Sequence, residues 1–256
     1  MRVGLFIPCF IDQLAPQVGV ATAEFLQGCG VEVDFPRAQA CCGQPMSNLG
    51  CREDARPLAL RFARVFDPDS YEHIVAPSGS CVAMVRNHYP ELARSQTERD
   101  ALKAVGSRTR ELCEFVVDVL GMEAVRGHYA RRVGLHRGCH GLRELRLGAA
   151  SELQVTASDK VERLLKSIDG LELVDLERPD ECCGFGGTFA TTEDVVSARM
   201  GNDRLDDFAR GAAETIVSGD VSCLFQLGGL AKRRGGAPEM LHIAELLRDA
   251  VRGAGA

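Results

Sequence analysis

The chain has no tryptophan, only three tyrosines and no basic block, and its formal net charge is −6. A protein that grips nucleic acid needs clustered lysine and arginine to neutralise phosphates and rings to stack on bases, so no nucleic-acid partner is expected. No apolar run nears the roughly 20 residues that span a bilayer. The apolar start at 3–7 is cut off by Pro8, too short for a secretory leader. The expectation is a soluble, cytoplasmic protein with no transmembrane segment. Also missing are Gly-x-Gly-x-x-Gly, Gly-x-x-x-x-Gly-Lys-Ser/Thr and a Cys-x-x-Cys-x-x-Cys run, and with them the usual signals for a dinucleotide site, a P-loop and a bacterial ferredoxin module.

What the chain has in plenty is cysteine: eleven in 256 residues, of which 45% are apolar, enough to build a core without covalent staples. In a reducing compartment those thiols are not a disulfide scaffold, which leaves buried filler, reactive groups or metal ligands. Filler would scatter. Eight of the eleven instead fall into a frame written twice: Cys9, Cys41, Cys42 and Cys81, then Cys139, Cys182, Cys183 and Cys223.

The repetition extends beyond the cysteines. Arg2-Val3-Gly4-Leu5 precedes Cys9 by the same offset at which Arg132-Val133-Gly134-Leu135 precedes Cys139. Val31-Glu32-Val33 leads into Cys41-Cys42-Gly43, and Leu171-Glu172-Leu173 leads into Cys182-Cys183-Gly184. His73-Ile74-Val75 and Thr215-Ile216-Val217 stand at equal intervals before Ser80-Cys81 and Ser222-Cys223. Three matches in one order mark a duplication.

Local patterns set strands at 3–7, 31–35 and 74–76 in the first half and at 133–135, 171–176 and 215–217 in the second. Helical spacing falls at 15–26 and 57–66, then at 160–167, 192–210 and 224–234. Each half closes with an amphipathic helix, 98–120 and 241–251. The fold class is therefore α/β, with two pseudo-duplicated lobes, residues 1–125 and 130–256, each a small parallel sheet flanked by helices.

In such a lobe, ligands gather beyond the carboxyl ends of the strands. Cys9, Cys81, Cys139 and Cys223 each follow a strand closely, and the Cys-Cys-Gly pairs follow the second strand of each lobe, so four thiols can meet at one end of one sheet. Cys81 and Cys223 adjoin helix starts, whose field favours thiolate. Gly43 and Gly184, with Gly186 and Gly187, let backbone approach a bulky inorganic core. Adjacent cysteines suit different iron atoms of a cluster better than one zinc tetrahedron. All eight are taken as metal and cofactor ligands, with zinc in the same thiols as the non-redox alternative. Cys29, Cys51 and Cys113 have no counterpart in the other half and are read as turn or fill. His136, His140 and His242 are read as structural hydrogen-bonding groups that could also serve a cluster. Arg137, Arg143 and Arg146 are read as surface that could balance cluster charge or hold a carboxylate.

These residues resemble the cysteine-rich CCG domain of iron–sulfur redox proteins, which include the heterodisulfide reductase B subunit and the glycolate oxidase iron–sulfur subunit. Phe35-Pro36 before Cys41-Cys42-Gly43-Gln44-Pro45, Ser78-Gly79-Ser80-Cys81, Cys182-Cys183-Gly184-Phe185-Gly186-Gly187-Thr188-Phe189, Asp220-Val221-Ser222-Cys223 and His242-Ile243-Ala244-Glu245 narrow the likeness to its lactate-utilization members, over essentially the whole chain. The resemblance implies an iron–sulfur redox subunit of a multiprotein system oxidising L-lactate, a small hydroxy acid, to pyruvate. It further implies [4Fe–4S] clusters, one per lobe, and partner subunits that include a ferredoxin-like protein. Ser78 and Asp220 stand where the heterodisulfide reductase motif has a further cysteine, so four thiols per lobe remain and disulfide-cleaving chemistry becomes the alternative. A loop or helix-capping role is expected for both, rather than oxygen ligation.

Overall fold

The computed structural model describes residues 1–154, 159–236 and 238–253. The chain divides into two compact units, Met1–Phe115 and Val116–Ala256. Each is built on a four-stranded, wholly parallel sheet with helices packed around it, as the duplicated pattern leads one to expect.

In the first unit the strands are β1 (Arg2–Leu5), β2 (Glu32–Asp34), β3 (His73–Ala76) and β4 (Thr109–Glu111), in the spatial order β2-β1-β3-β4. The second repeats this with β5 (Arg132–His136), β6 (Glu172–Leu173), β7 (Thr215–Ser218) and β8 (Glu239–His242), in the order β6-β5-β7-β8. The registers correspond: Val3 faces Val33 and His73, while Val133 faces Leu173 and Thr215. The inner strands are buried over several consecutive residues, because helices cover both faces of a parallel sheet, whereas β2 and β6 are the open edges.

The helices of the first unit are α1 (Cys9–Leu14), α2 (Pro16–Gly28), α3 (Gln44–Asn48), α4 (Arg52–Val65), α5 (Gly79–Ala83), α6 (Gln96–Arg108) and α7 (Leu112–Glu114). Those of the second are α8 (Lys160–Lys166), α9 (Phe189–Thr192), α10 (Asp194–Arg210), α11 (Val221–Arg233) and α12 (Ile243–Gly253). Among the described residues no helix is long and apolar enough to cross a membrane.

Two sequence expectations are corrected. The helix expected over 98–120 is interrupted by β4, whose Thr109, Arg110 and Glu111 pair with Ile74, Val75 and Ala76. Thr109 turns its hydroxyl back to Val105 O at 2.9 Å, and the Glu111 carboxylate caps the helical turns that follow. The helix expected over 241–251 likewise starts only at Ile243, because Leu241 and His242 belong to β8 and pair with Val217 and Ser218. Three- and four-residue edge strands are too short for a period-2 pattern to stand out beside a strong helical one.

Aromatic rings from the helices rest on the first strand of each sheet. Phe6 meets Phe62 and Phe66 edge-on, with ring centroids 4.9 and 5.8 Å away. A Cβ at Gly4 would stand 3.0 Å from Phe66, and one at Gly134 only 2.4 Å from Phe208. The repeated Arg-Val-Gly-Leu is thus a packing device, since its glycine admits the ring of the helix before β3 or β7.

Candidate metal centres

The order β2-β1-β3-β4 puts a reversal of strand order between β1 and β3, the place where parallel sheets of this kind hold ligands beyond their carboxyl ends. Cys9 and Cys81 leave β1 and β3 on its two sides, and Cys41-Cys42 arrives from the loop after β2. The Cys9 thiol reaches Cys41 Sγ at 3.5 Å, and the Cys42 thiol reaches Cys81 Sγ at 3.5 Å. Cys41 and Cys42 hydrogen-bond each other, so the four sulfurs form one continuous group. In the second unit the contacts run in the same order through Cys139, Cys182, Cys183 and Cys223. All eight frame cysteines are thereby brought together, four and four. Cys42, Cys183 and Cys223 are buried and the other five half-buried, so each group has a protein side and an open side.

The Cys-Cys-Gly turn is the same object in both units. Gly43 and Gly184 both have φ of +83°, and the backbone N–H of each donates to the sulfur of Cys41 or Cys182 at 3.4 Å. A Cβ at Gly184 would stand 2.4 Å from Ser197 O, while one at Gly43 would come no nearer than 3.4 Å to Ala55 O. Gly43→Ala is therefore expected to cost about 1–2 kcal/mol, from backbone strain alone. Gly184→Ala should cost at least about twice as much, because backbone must also move. Chemical denaturation of the two variants checks that order, and equal costs would show that the second turn relaxes freely.

The loops carrying these turns are braced by unrelated side chains acting on corresponding backbone atoms. Gln39 donates from Nε2 to Leu5 O at 3.2 Å and accepts the Ile7 N–H at 2.8 Å, tying the loop before Cys41 to the end of β1. In the second unit Arg204, fully buried, donates to Leu135 O at 3.3 Å, to Arg178 O at 2.7 Å and to Pro179 O at 3.4 Å. Asp207 neutralises it at 3.0 Å and accepts the N–H groups of Glu177 and Arg178. Burial draws the Arg204 pKa down to about 10, which leaves it charged at neutral pH.

The thiols polarise one another. Hydrogen bonds from Cys42 and Cys9, with the Gly43 N–H, hold Cys41 down at about 3; those from Cys139 and Cys183, with the Gly184 N–H, hold Cys182 at about 2. Cys223 is lowered to about 6 by the Cys183 thiol against the effect of burial, with the His136 ring adding to the pull. The donors, Cys9, Cys42, Cys139 and Cys183, are pushed up, first by those same hydrogen bonds and then by burial. In metal-free protein Cys41 and Cys182 should therefore already be thiolates at pH 5. Their alkylation rates should stay nearly flat from pH 5 to 8, whereas an ordinary thiol with pKa about 8.5 speeds up roughly tenfold per unit over most of that range. Mass-spectrometric mapping of iodoacetamide labelling against pH reads this, and a tenfold rise per unit at Cys41 would remove the assignment.

Ser78 caps α5, its hydroxyl accepting the Cys81 N–H at 3.3 Å, as expected. Asp220 occupies the cap position before α11 without a side-chain bond to the helix N–H groups, and its charge adds slightly to the rise at Cys139 and opposes the net lowering at Cys223. His242 is buried and accepts the Ala244 N–H at 3.1 Å, a structural role, while His140 Nδ1 lies 3.6 Å from Cys139 Sγ. Arg137 is held by Asp159 and Glu162, both at 2.6 Å, and Arg143 by Glu152 at 2.6 Å. Cys113 is fully buried, as filler should be, but Cys51 is exposed just before α4 and is not fill.

One neighbour of the first centre went unnoticed in the sequence. Tyr89 is fully buried, its hydroxyl has no hydrogen-bond partner, and its pKa is pushed up first by burial and then by the thiols of Cys42, Cys81 and Cys41. It lies eight residues after Cys81 along continuing helical turns, a spacing that returns to the same face. The second centre has its own orphaned group, His136, both of whose ring nitrogens are buried without a partner. Imidazole nitrogen and the sulfurs of Cys183 and Cys223 all lie within 4.8 Å of one another. Two clusters of soft sulfur donors, each beside a desolvated polar group awaiting a partner, fit a thiophilic metal group.

The comparisons agree with this picture. The CCG cysteine-rich domain family matches residues 3–86 and 133–228, one match on each sheet. Lactate utilization protein A of an Exiguobacterium species is 38% identical over 252 residues, with 98% of both chains covered. The protein of that name from Macrococcus caseolyticus is 39% identical over the same coverage, and lactate utilization protein A 2 of Bacillus cereus is 35% identical over 96% of this chain and 98% of its own. Full-length identity of this order and a domain match that repeats with the sheets point the same way: the chain belongs to the lactate utilization protein A family, built on two CCG cysteine-rich domains.

Proposed function

We propose that this chain is the iron–sulfur subunit of a multiprotein L-lactate-oxidising system, with one cluster, of [4Fe–4S] type, held by Cys9, Cys41, Cys42 and Cys81 and another by Cys139, Cys182, Cys183 and Cys223. The observation that carries the reading is the convergence of four thiols at the same end of each of two duplicated sheets. A bound cluster of this kind takes up and gives out one electron at a time. The chain's own part is to present thiolate, to donate the Gly43 and Gly184 N–H groups to ligand sulfur, and to cover one side of each centre with the buried Cys42 and Cys183. The half-exposed Cys9, Cys41, Cys139 and Cys182 leave the other side within reach of a partner. The sequence shows no nucleotide motif for hydride transfer, so electrons drawn from lactate would pass between subunits, a ferredoxin-like protein among them. Eleven free thiols suit a reducing cytoplasm.

Zinc is the second reading, and the sulfur spacing favours it: two thiolates on one tetrahedral zinc, bound at about 2.3 Å, stand about 3.8 Å apart, close to the 3.5 Å of each thiol pair in the first unit. Anaerobic purification with iron, acid-labile sulfide and zinc counts, followed by electron paramagnetic resonance of the reduced protein, separates the two. Iron with equal sulfide is expected; zinc without sulfide after reconstitution would overturn the cluster. For the substrate, deletion of the gene should abolish growth on L-lactate as sole carbon source, and undiminished growth without a paralogue would remove lactate.

A further inference from the structure

The duplication supplies an internal control for His136. Aligned on Arg-Val-Gly-Leu and on the cysteine that follows, His136 corresponds to Phe6. Both side chains are essentially inaccessible, 1% exposed for His136 and 0% for Phe6. Phe6 satisfies its site with hydrocarbon alone, packed edge-on against Phe62 and Phe66. The fold therefore accepts a plain ring at this point of the sheet, and the two nitrogens of the second unit are additional. Neither meets a protein nitrogen or oxygen, and the ring's one polar neighbour is the Cys223 thiol, whose pKa it lowers, although a buried polar group so poorly paired is retained against its desolvation cost only for a reason. The reason lies next to it: the sulfurs of Cys183 and Cys223 share a 4.8 Å neighbourhood with the imidazole.

We propose that His136 is a nitrogen ligand to the metal group of the second unit, taking the place of one of the four thiols there, so that this centre is a mixed nitrogen–sulfur site where the first is all sulfur. The inference rests on the reading that the thiol groups hold metal. Around a single tetrahedral ion, bonds of about 2.0 Å to nitrogen and 2.3 Å to sulfur put those donors about 3.6 Å apart. From the 4.8 Å limit, closure of no more than about 1.2 Å brings the three atoms within that range. Imidazole is a neutral donor and thiolate an anionic one, so a histidine ligand raises the reduction potential of an iron–sulfur centre. The second centre would then have the higher potential of the two.

The test uses the full chain with ¹⁵N-labelled histidine, reconstituted anaerobically with ferrous iron and sulfide and studied by pulsed electron paramagnetic resonance. The expected result is the strong ¹⁵N coupling of a directly bound imidazole, lost in His136→Phe together with a downward shift in the potential of one of the two centres. If His136→Phe does not fold, His136→Gln assigns the nitrogen, and the wild-type spectrum stands by itself. Iron and sulfide in both units without nitrogen coupling would overturn the inference and leave the cluster reading intact. Zinc without sulfide, but with one nitrogen at about 2.0 Å by X-ray absorption that disappears in the His136 variants, would overturn the cluster and support the inference. Sulfur as the only donor to that zinc would overturn both.

Discussion

Replacing Cys182 and Cys183 together by serine should strip the second unit of metal and leave the first loaded, so that iron and sulfide both fall to about half. The expectation follows from the four sulfurs of each centre coming from within one compact unit. The Cys41 and Cys42 double serine variant should do the converse. Serine keeps the size and loses the soft donor, and the low pKa of Cys41 and Cys182 goes with it. Circular dichroism of each variant separates ligand loss from unfolding. Iron unchanged in a folded double variant would mean that those thiols are not ligands. Cys29→Ser, at a position with no counterpart in the other unit, should leave both counts as they were.

Arg204→Leu should destabilise the second unit by about 3–5 kcal/mol, the range for removing one partner of a buried ion pair. The loss has two parts. Asp207, 1% exposed, keeps its backbone donors but loses its buried cation, and the carbonyls of Leu135, Arg178 and Pro179 lose theirs. Because Arg178 and Pro179 lie on the loop that delivers Cys182, metal retention at the second centre should fall along with the midpoint of unfolding. Gln39→Leu breaks the corresponding brace in the first unit, but its bonds are neutral, and about 1–2 kcal/mol is expected there. Denaturant unfolding of the two variants compares them. Equal effects would mean that the arginine pair contributes no more than an uncharged bond.

Much of this site can be read along the chain because it is local. The thrice-matched frame announces duplication, β-branched runs announce the inner strands, and a cysteine a few residues past a strand must come to the carboxyl edge of its sheet. The positive φ of Gly43 and Gly184 is likewise implied by glycine after a paired cysteine. These depend on neighbours within a few positions, where spacing alone constrains geometry.

The rest is decided by contacts between distant positions. Thr109–Glu111 becomes a strand only because β3 offers it a partner edge, against a helical pattern on both sides. Gln39 and Arg204 share neither chemistry nor sequence offset, yet brace the corresponding carbonyls of Leu5 and Leu135; a side chain's hydrogen-bond partner is fixed by where folding delivers it. His136 shows the difference most clearly. Along the chain it is a histidine near a cysteine, with a structural role as its ordinary meaning. Burial removes its water, the packing supplies no nitrogen or oxygen partner in exchange, and folding places Cys183 and Cys223 beside it, which is what makes it the metal donor proposed above. Eight cysteines and their division into two fours were therefore written in the order of residues, because duplication and strand ends are local facts. That the two fours are chemically unequal arises only in three dimensions, where desolvation and long-range proximity act together.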